Sequence, residues 1–265
     1  MLIANSVNDY LLIRKQAEEQ EHQKSTNKYY LSDMGKCQRM RFLKRKGITM
    51  EFLPYVHWVF EMGNLTHSFV YKALESKGIL LECEDTVATE HFSGRFDGIV
   101  KLNDGKKSVL DIKTVNSFKF QKIMAGVEEE DNIAQVLSYL MLLKDGGRKD
   151  LESSLLLYVN KEPNDKAPFA FFQKEFFLTK WREDKLREEM VLMENYWTKN
   201  KIPKCTCPAW MKPYNAFQPL CEMEESSIRK VLTELGKGKK VITSKESLCF
   251  EEGGERKLIY KVKPA

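Results

Sequence analysis

The chain has no apolar run near the ~18 residues that a membrane span requires. Its first twenty residues, MLIANSVNDYLLIRKQAEEQ, lack the order of basic region, apolar block and small-residue cleavage site that marks a secretory leader. A cytoplasmic location, away from any membrane, is therefore expected. No Gly-x4-Gly-Lys-Ser/Thr loop is present, so a nucleotide-driven helicase motor would have to be supplied by a partner. Internal repeats are absent, and histidine is scarce, with four among 265 residues. Charge is nearly balanced, 43 basic against 38 acidic residues for a net +5, a mild bias toward a polyanionic partner. In an intracellular chain, six unevenly placed cysteines do not read as a disulfide framework.

The composition does support a core. A hydrophobic fraction of 42% excludes disorder of the whole chain, and the length suits one large domain with appendages. We expect a polar helical extension over residues 1–28, a main domain over 29–224, and a helix and hairpin over 225–265. Within the main domain, Ser32 reads as the N-cap of a helix carrying Cys37 and ending at Gly47. Residues 55–77 read as the next helix, with His67 inside it. Period-2 segments follow: ILLECEDTVATEH, GRFDGIVKL and KSVLDIKTV, separated by short glycine-bearing turns. Residues 130–144 return to helical period, SSLLLYVN and FAFFQKEFFL read as two more strands, and a charged helix covers 179–200. The fold class expected is α/β, a central mixed sheet flanked by helices.

The stretch from Gly94 to Tyr139 carries the chemistry. Asp97 falls on one expected strand and Asp111 with Lys113 on the next, across the turn Asn103-Asp104-Gly105. Asp111 and Lys113, two residues apart, share a strand face. Asp111 sits between Val109-Leu110 and Ile112, so its carboxylate is expected to be buried, where it needs a partner or a cation. Lys113 alone could be that partner, as a plain salt bridge. Two carboxylates together instead supply oxygen ligands for Mg²⁺ or Mn²⁺. Gln135 and Tyr139 lie four apart and share a helix face. From Lys36 to Lys46 run six basic residues without an acid, with Met40, Phe42 and Leu43 interleaved. That pattern reads either as a solvated helix face or as one offered to phosphates, through Arg39, Lys44 and Arg45.

Asp97, the Asp111-Ile112-Lys113 triplet, and Gln135 with Tyr139 resemble the PD-(D/E)XK nuclease superfamily, and more narrowly its RecB-like exonuclease branch. His67, in the run Gly63-Asn64-Leu65-Thr66-His67, resembles the histidine that this branch carries upstream of the first strand. The resemblance spans roughly residues 30 to 221. It implies a restriction-endonuclease-like core and a metal-dependent deoxyribonuclease, an exonuclease on single-stranded DNA or duplex ends. Asp97, Asp111, the Ile112 carbonyl and His67 would hold the cation, with His57 as the rival histidine. Lys113 would orient the water or neutralise the phosphate, Gln135 and Tyr139 would contact the backbone or support the ligands, and Arg95 would touch phosphate. An imidazole ligand favours Mn²⁺ over Mg²⁺. A nuclease-silent DNA-binding or assembly subunit, and a zinc-ribbon-like binding protein, stay open as alternatives.

Cys37 before this core, with Cys205, Cys207 and Cys221 after it, resembles the iron–sulfur nucleases of the AddB type and the CRISPR-associated RecB-like exonucleases. The implied cofactor is a four-iron, four-sulfur (4Fe-4S) cluster. The Cys205-x-Cys207 spacing is one residue tighter than the usual pair, and zinc is the alternative. Cys83 and Cys249 read as buried small hydrophobes.

Overall fold

The segment KSVLDIKTV carries apolar residues on both sides of the chain, as a strand covered on both faces must. It forms β5 (Lys107–Val115), buried from Ser108 to Ile112. This computed structural model describes residues 6, 10, 11, 13, 27–208 and 215–262. The helix expected over residues 1–28 lies for the most part outside the described residues. The described chain divides into two compact units, one of residues 30–35 and 59–190, the other of the remainder.

In the first unit β5 is central. β1 (Tyr29–Tyr30), β4 (Phe92–Lys101), β5, β6 (Leu151–Asn160) and β7 (Phe171–Phe176) lie in that order, and β3 (Leu80–Ala88) pairs with β4. β4 and β5 are antiparallel. Their turn needs a left-handed residue, which Gly105 supplies at φ +85° while donating its N–H to the Leu102 carbonyl at 2.9 Å. β6 runs parallel to β5, which forces a crossover. α3 (Ser117–Met124), capped by the Asn116 side chain on the Lys119 N–H, and α4 (Glu130–Asp145) make that crossing. The α/β mixed sheet expected from the sequence is thus present.

Helices cover the sheet through apolar faces. α2 (Pro54–Ser76) sets Val70 and Tyr71 against Val100, Leu110, Ile112, Leu155 and Val159. α4 buries Val136, Leu137, Leu140 and Met141, and its Tyr139 ring meets Phe96 with centroids 6.4 Å apart. Gly94 makes this approach possible. A Cβ there would stand 2.6 Å from Tyr139 Cε1 and 2.8 Å from Leu31 Cβ.

The second unit has its own sheet, ordered β10-β9-β8-β2. Its strands are β2 (Thr49–Met50), β8 (Lys240–Thr243), β9 (Ser247–Glu252) and β10 (Glu255–Lys261), with β2 parallel to β8. Gly253 and Gly254, at φ +61° and +85°, form the hairpin turn expected of them. Residues 225–262, expected as an appendage, belong to this unit. α7 (Glu225–Gly236) buries Ile228 and Val231, and the Thr243 hydroxyl donates to the Ala216 carbonyl at 2.8 Å. The helix bearing the basic run, α1 (Gln38–Arg45), starts later than expected. Ser32 instead lies in a 3-10 turn, Leu31–Asp33, and Gly35 at φ +74° breaks the path between the two. α5 (Lys180–Thr198) is the charged helix expected over 179–200, and α6 (Gln218–Glu222) is a short helix inside the proline-rich stretch, where no helical period was visible.

Gly94→Ala should destabilise the protein by about 1–3 kcal/mol, the usual range for overpacking a filled core. Thermal unfolding checks this, and a melting temperature equal to wild type would mean that Tyr139 and Leu31 yield freely.

Candidate functional site

Asp97, on β4, and Asp111 and Lys113, on β5, converge with His67 of α2 and with Gln135 and Tyr139 of α4. The Ile112 N–H donates to Asp97 Oδ2 at 2.6 Å, which draws the first acid onto the second strand. Lys113 Nζ donates to Gln135 Oε1 at 2.8 Å, while Gln135 Nε2 donates to Asp111 Oδ1 at 3.1 Å and to the Tyr139 hydroxyl at 2.9 Å. An amide can accept from the amine and donate to the acid at once, which neither Glu nor Lys could do here. His67 Nδ1 stands 3.6 Å from Asp97 Oδ1. Lys113 Nζ lies 2.9 Å from Asp111 Oδ2, yet that buried oxygen accepts no hydrogen bond, so the pair is outside hydrogen-bond geometry.

Burial sets the electrostatics. It pushes the Asp97 carboxyl up to about 7, with the Asp111 charge adding to the effect and the Ile112 N–H opposing it. Burial also lowers the His67 imidazole, against the pull of Asp111, so the ring is neutral near pH 7 and able to act as a ligand. Tyr139 is raised by burial and then by Asp111. Two carboxylates, one with an unsatisfied buried oxygen, a neutral imidazole and the Ile112 carbonyl form a donor set that fits a divalent cation such as Mn²⁺. Asp97, Asp111, Ile112 and His67 would hold it.

Other expected residues are placed differently. His57 sets its ring edge-on to Phe52 in the other unit, so His67 is the histidine of the carboxylate unit. Arg95 is exposed, with Nη1 3.7 Å from Glu84 Oε2. Arg39 and Arg45, expected to reach phosphate, are corrected. Arg39 gives Nε to the Pro203 carbonyl at 2.8 Å and Nη1 to the carbonyls of Leu220, Cys221 and Met223. Arg45 is buried, donates to the Asn27 carbonyl, and lies 3.9 Å over the Trp197 ring and 4.5 Å over Tyr29. Both guanidiniums hold the fold. Lys44 is half-buried. Two groups that the sequence reading missed, Tyr71 and Glu84, also stand at the carboxylates. The Tyr71 hydroxyl lies 3.4 Å from Glu84 Oε1, and only its i+4 spacing from His67 could have flagged it.

The second unit gathers Cys37, Cys205, Cys207 and Cys221, with sulfurs all within 4.8 Å of one another. Cys37 and Cys205 sulfurs are 3.8 Å apart, and those of Cys207 and Cys221 3.9 Å. Cys37 stands at the N-terminus of α1, and the Arg39 clasp fixes the carbonyl of Cys221 beside it. Asn215 Nδ2 donates to Cys207 Sγ at 3.1 Å. A hydrogen bond from Cys221, more than any other cause, draws the Cys37 thiol down to about 4, while burial holds Cys207 up at about 12. Four cysteine sulfurs this close could together hold a metal ion. A Zn–S bond of ~2.3 Å sets tetrahedral ligands ~3.8 Å apart, the spacing of these pairs. Among the other cysteines Cys83 is exposed and Cys249 half-buried, so neither is the buried hydrophobe expected.

No family model matches the chain, and no curated protein matches it. Among solved structures it is similar to SSO0001, at 21% identity and a TM-score of 0.46, over 71% of this chain and 86% of that one. It is also similar to an alkaline exonuclease, LHK-Exo, from Laribacter hongkongensis, at 11% identity and 0.46, over 69% and 94%. The complex of LHK-Exo with dAMP gives 13% and 0.48, over 66% and 90%. With each score under 0.5, the chemistry of the site is taken from its own geometry.

The Asp97 carboxyl carries a stability signature. Its folded pKa stands above the unfolded 3.8, so the metal-free fold keeps a proton that the unfolded chain releases. That contribution is full below 3.8, falls as pH rises, and is lost through about 7. Metal-free Asp97→Asn should therefore melt higher than wild type at about pH 8, with the gap shrinking toward about pH 5. A gap independent of pH would show that Asp97 ionises freely.

Proposed function

We propose that this protein hydrolyses phosphodiester bonds of DNA with the help of a divalent cation, as a member of the PD-(D/E)XK nucleases and an exonuclease on single-stranded DNA or duplex ends. The observation that carries the reading is the meeting of Asp97, Asp111 and Lys113 around a buried carboxylate oxygen without a hydrogen bond. No helix among the described residues is long and apolar enough to cross a membrane. When bound, the cation would acidify a water and offset charge on the phosphate.

The chain's own groups do the rest. Lys113, with a side chain 23% exposed, keeps an ammonium at the cleft mouth, where it can neutralise a phosphate oxygen or hold the attacking water. Gln135 fixes that ammonium against Asp111, so the amine and the acid keep their spacing before substrate arrives. The neutral His67 and the Ile112 carbonyl complete the donor set. Exposed Arg95 is left to meet a phosphate.

For the cysteines, we propose one tetrahedral ion, zinc first, because the sulfur pairs already stand at its ligand spacing. Its role is structural. It joins Cys37 to the loop of Cys205, Cys207 and Cys221, which three prolines interrupt.

Two outcomes check these readings. Lys113→Ala should cut cleavage about 10²–10³-fold, the scale of losing one transition-state charge partner. Asp111→Asn should cut it further, and both should still bind DNA through other phosphate contacts. Mn²⁺ should support faster cleavage than Mg²⁺. Near wild-type rates for Asp111→Asn with Mn²⁺ would sink the assignment. Elemental analysis of the anaerobically purified protein should find about one zinc per chain, lost with a fall in melting temperature in Cys205→Ala. A brown protein with several irons per chain would decide for the iron–sulfur cluster instead.

A further inference from the structure

We propose that Glu84 is a further ligand of the divalent cation, closing the site on its solvent side. The inference rests on the reading of Asp97 and Asp111 as cation ligands. In the β3–β4 pair, Cys83 stands opposite Gly98 and Asp85 opposite Phe96, which sets Glu84 across from Asp97. The ladder itself skips this one pair, and Glu84 stands on the neighbouring strand beside Asp97 with its backbone out of the extended conformation.

The side chain is anchored toward the site. Glu84 Oε1 lies 3.4 Å from the Tyr71 hydroxyl, and Tyr71 is one turn from His67 on α2, their rings 6.1 Å apart. Glu84 thus reaches the neighbourhood of the imidazole as well as that of Asp97. Its backbone sits at φ +44°, a conformation that non-glycine residues in strands rarely adopt. The other partner, Arg95 Nη1 at 3.7 Å, is an exposed ion pair of the kind that contributes little. It does not explain why the chain holds such a conformation there.

The site has positions left to fill. Asp97, Asp111, the Ile112 carbonyl and His67 make four donors, where Mn²⁺ or Mg²⁺ takes six. The buried Asp111 Oδ2, on a residue 2% exposed, has Lys113 Nζ at 2.9 Å but accepts no hydrogen bond. Asp97 and Asp111 have side chains 16% and 3% exposed, against 42% for Glu84. Glu84 is accordingly the ligand on the open side, able to bind the cation directly or through one of its waters.

The test is Mn²⁺ binding to the full-length protein by calorimetry, with Mn²⁺ paramagnetic resonance as a second readout of the coordination. Wild type, Glu84→Gln, Arg95→Ala and Asp111→Asn are compared, each with its metal-free melting temperature. Glu84→Gln should bind Mn²⁺ about 10–100-fold more weakly, the scale of losing a supporting or outer ligand group. Its resonance spectrum should change and its metal-free melting temperature should hold. Glu84→Asp should recover part of the affinity, and Arg95→Ala should retain it. Wild-type affinity and spectrum in Glu84→Gln, with binding lost in Asp111→Asn, would overturn the role of Glu84 and leave the site reading intact. The same loss in Arg95→Ala as in Glu84→Gln would reduce Glu84 to an ion-pair partner and overturn the inference too. Equal Mn²⁺ binding in wild type and Asp111→Asn would overturn the site itself.

Discussion

The structure depends on keeping two carboxylates close together where water is scarce. Raising Asp97 from 3.8 to about 7 corresponds to a penalty on the order of 4 kcal/mol for ionising it in place. That exceeds the ~0–1 kcal/mol of a surface ion pair, so surface pairs such as Arg95 with Glu84 cannot offset it. The offset has to come from groups aimed into the site. The value of about 7 already contains the Ile112 N–H and the Lys113 charge, both of which draw Asp97 down, while Gln135 donates to Asp111. What remains is a penalty on ionising Asp97 beside Asp111, and a doubly charged ion is the natural complement of the pair.

The fold serves that constraint. β5 is central, so its side chains alternate between an apolar face under α2 and a polar set under α4. Leu110 and Ile112 go to the first, Asp111 and Lys113 to the second. Parallel pairing with β6 requires a crossover, and the crossover helix α4 carries Gln135 and Tyr139. Gly94 clears the space that lets Tyr139 settle beside Phe96. In the other unit the cysteine quartet brings together the start of α1 and the proline-interrupted loop, beside an apolar core that includes Phe217, Leu220 and Ile228.

How much of this was legible depended on range. Asp97, Asp111, Lys113, Gln135 and Tyr139 were readable because strand and helix periods are local and fix which residues share a face. The sheet class followed from the same signal. The fates of Arg39 and Arg45 were not readable. A basic run looks the same whether its guanidiniums face water or are stacked on Trp197 and Tyr29, which lie far off in sequence. Glu84 was hidden because its place depends on the β3–β4 register, and a one-residue shift would send it to the other face. β2 and β8 are short strands from distant parts of the chain, too short to carry a period, so residues 225–262 looked detached.

The most direct measurement is anomalous scattering from crystals soaked in Mn²⁺, at a concentration that supports cleavage. The expected result is a manganese peak among Asp97, Asp111, the Ile112 carbonyl and His67, absent from crystals of Asp111→Asn. A peak elsewhere, or none at that position in a protein that cleaves DNA under the same conditions, would contradict the reading of the buried carboxylate pair as a cation site.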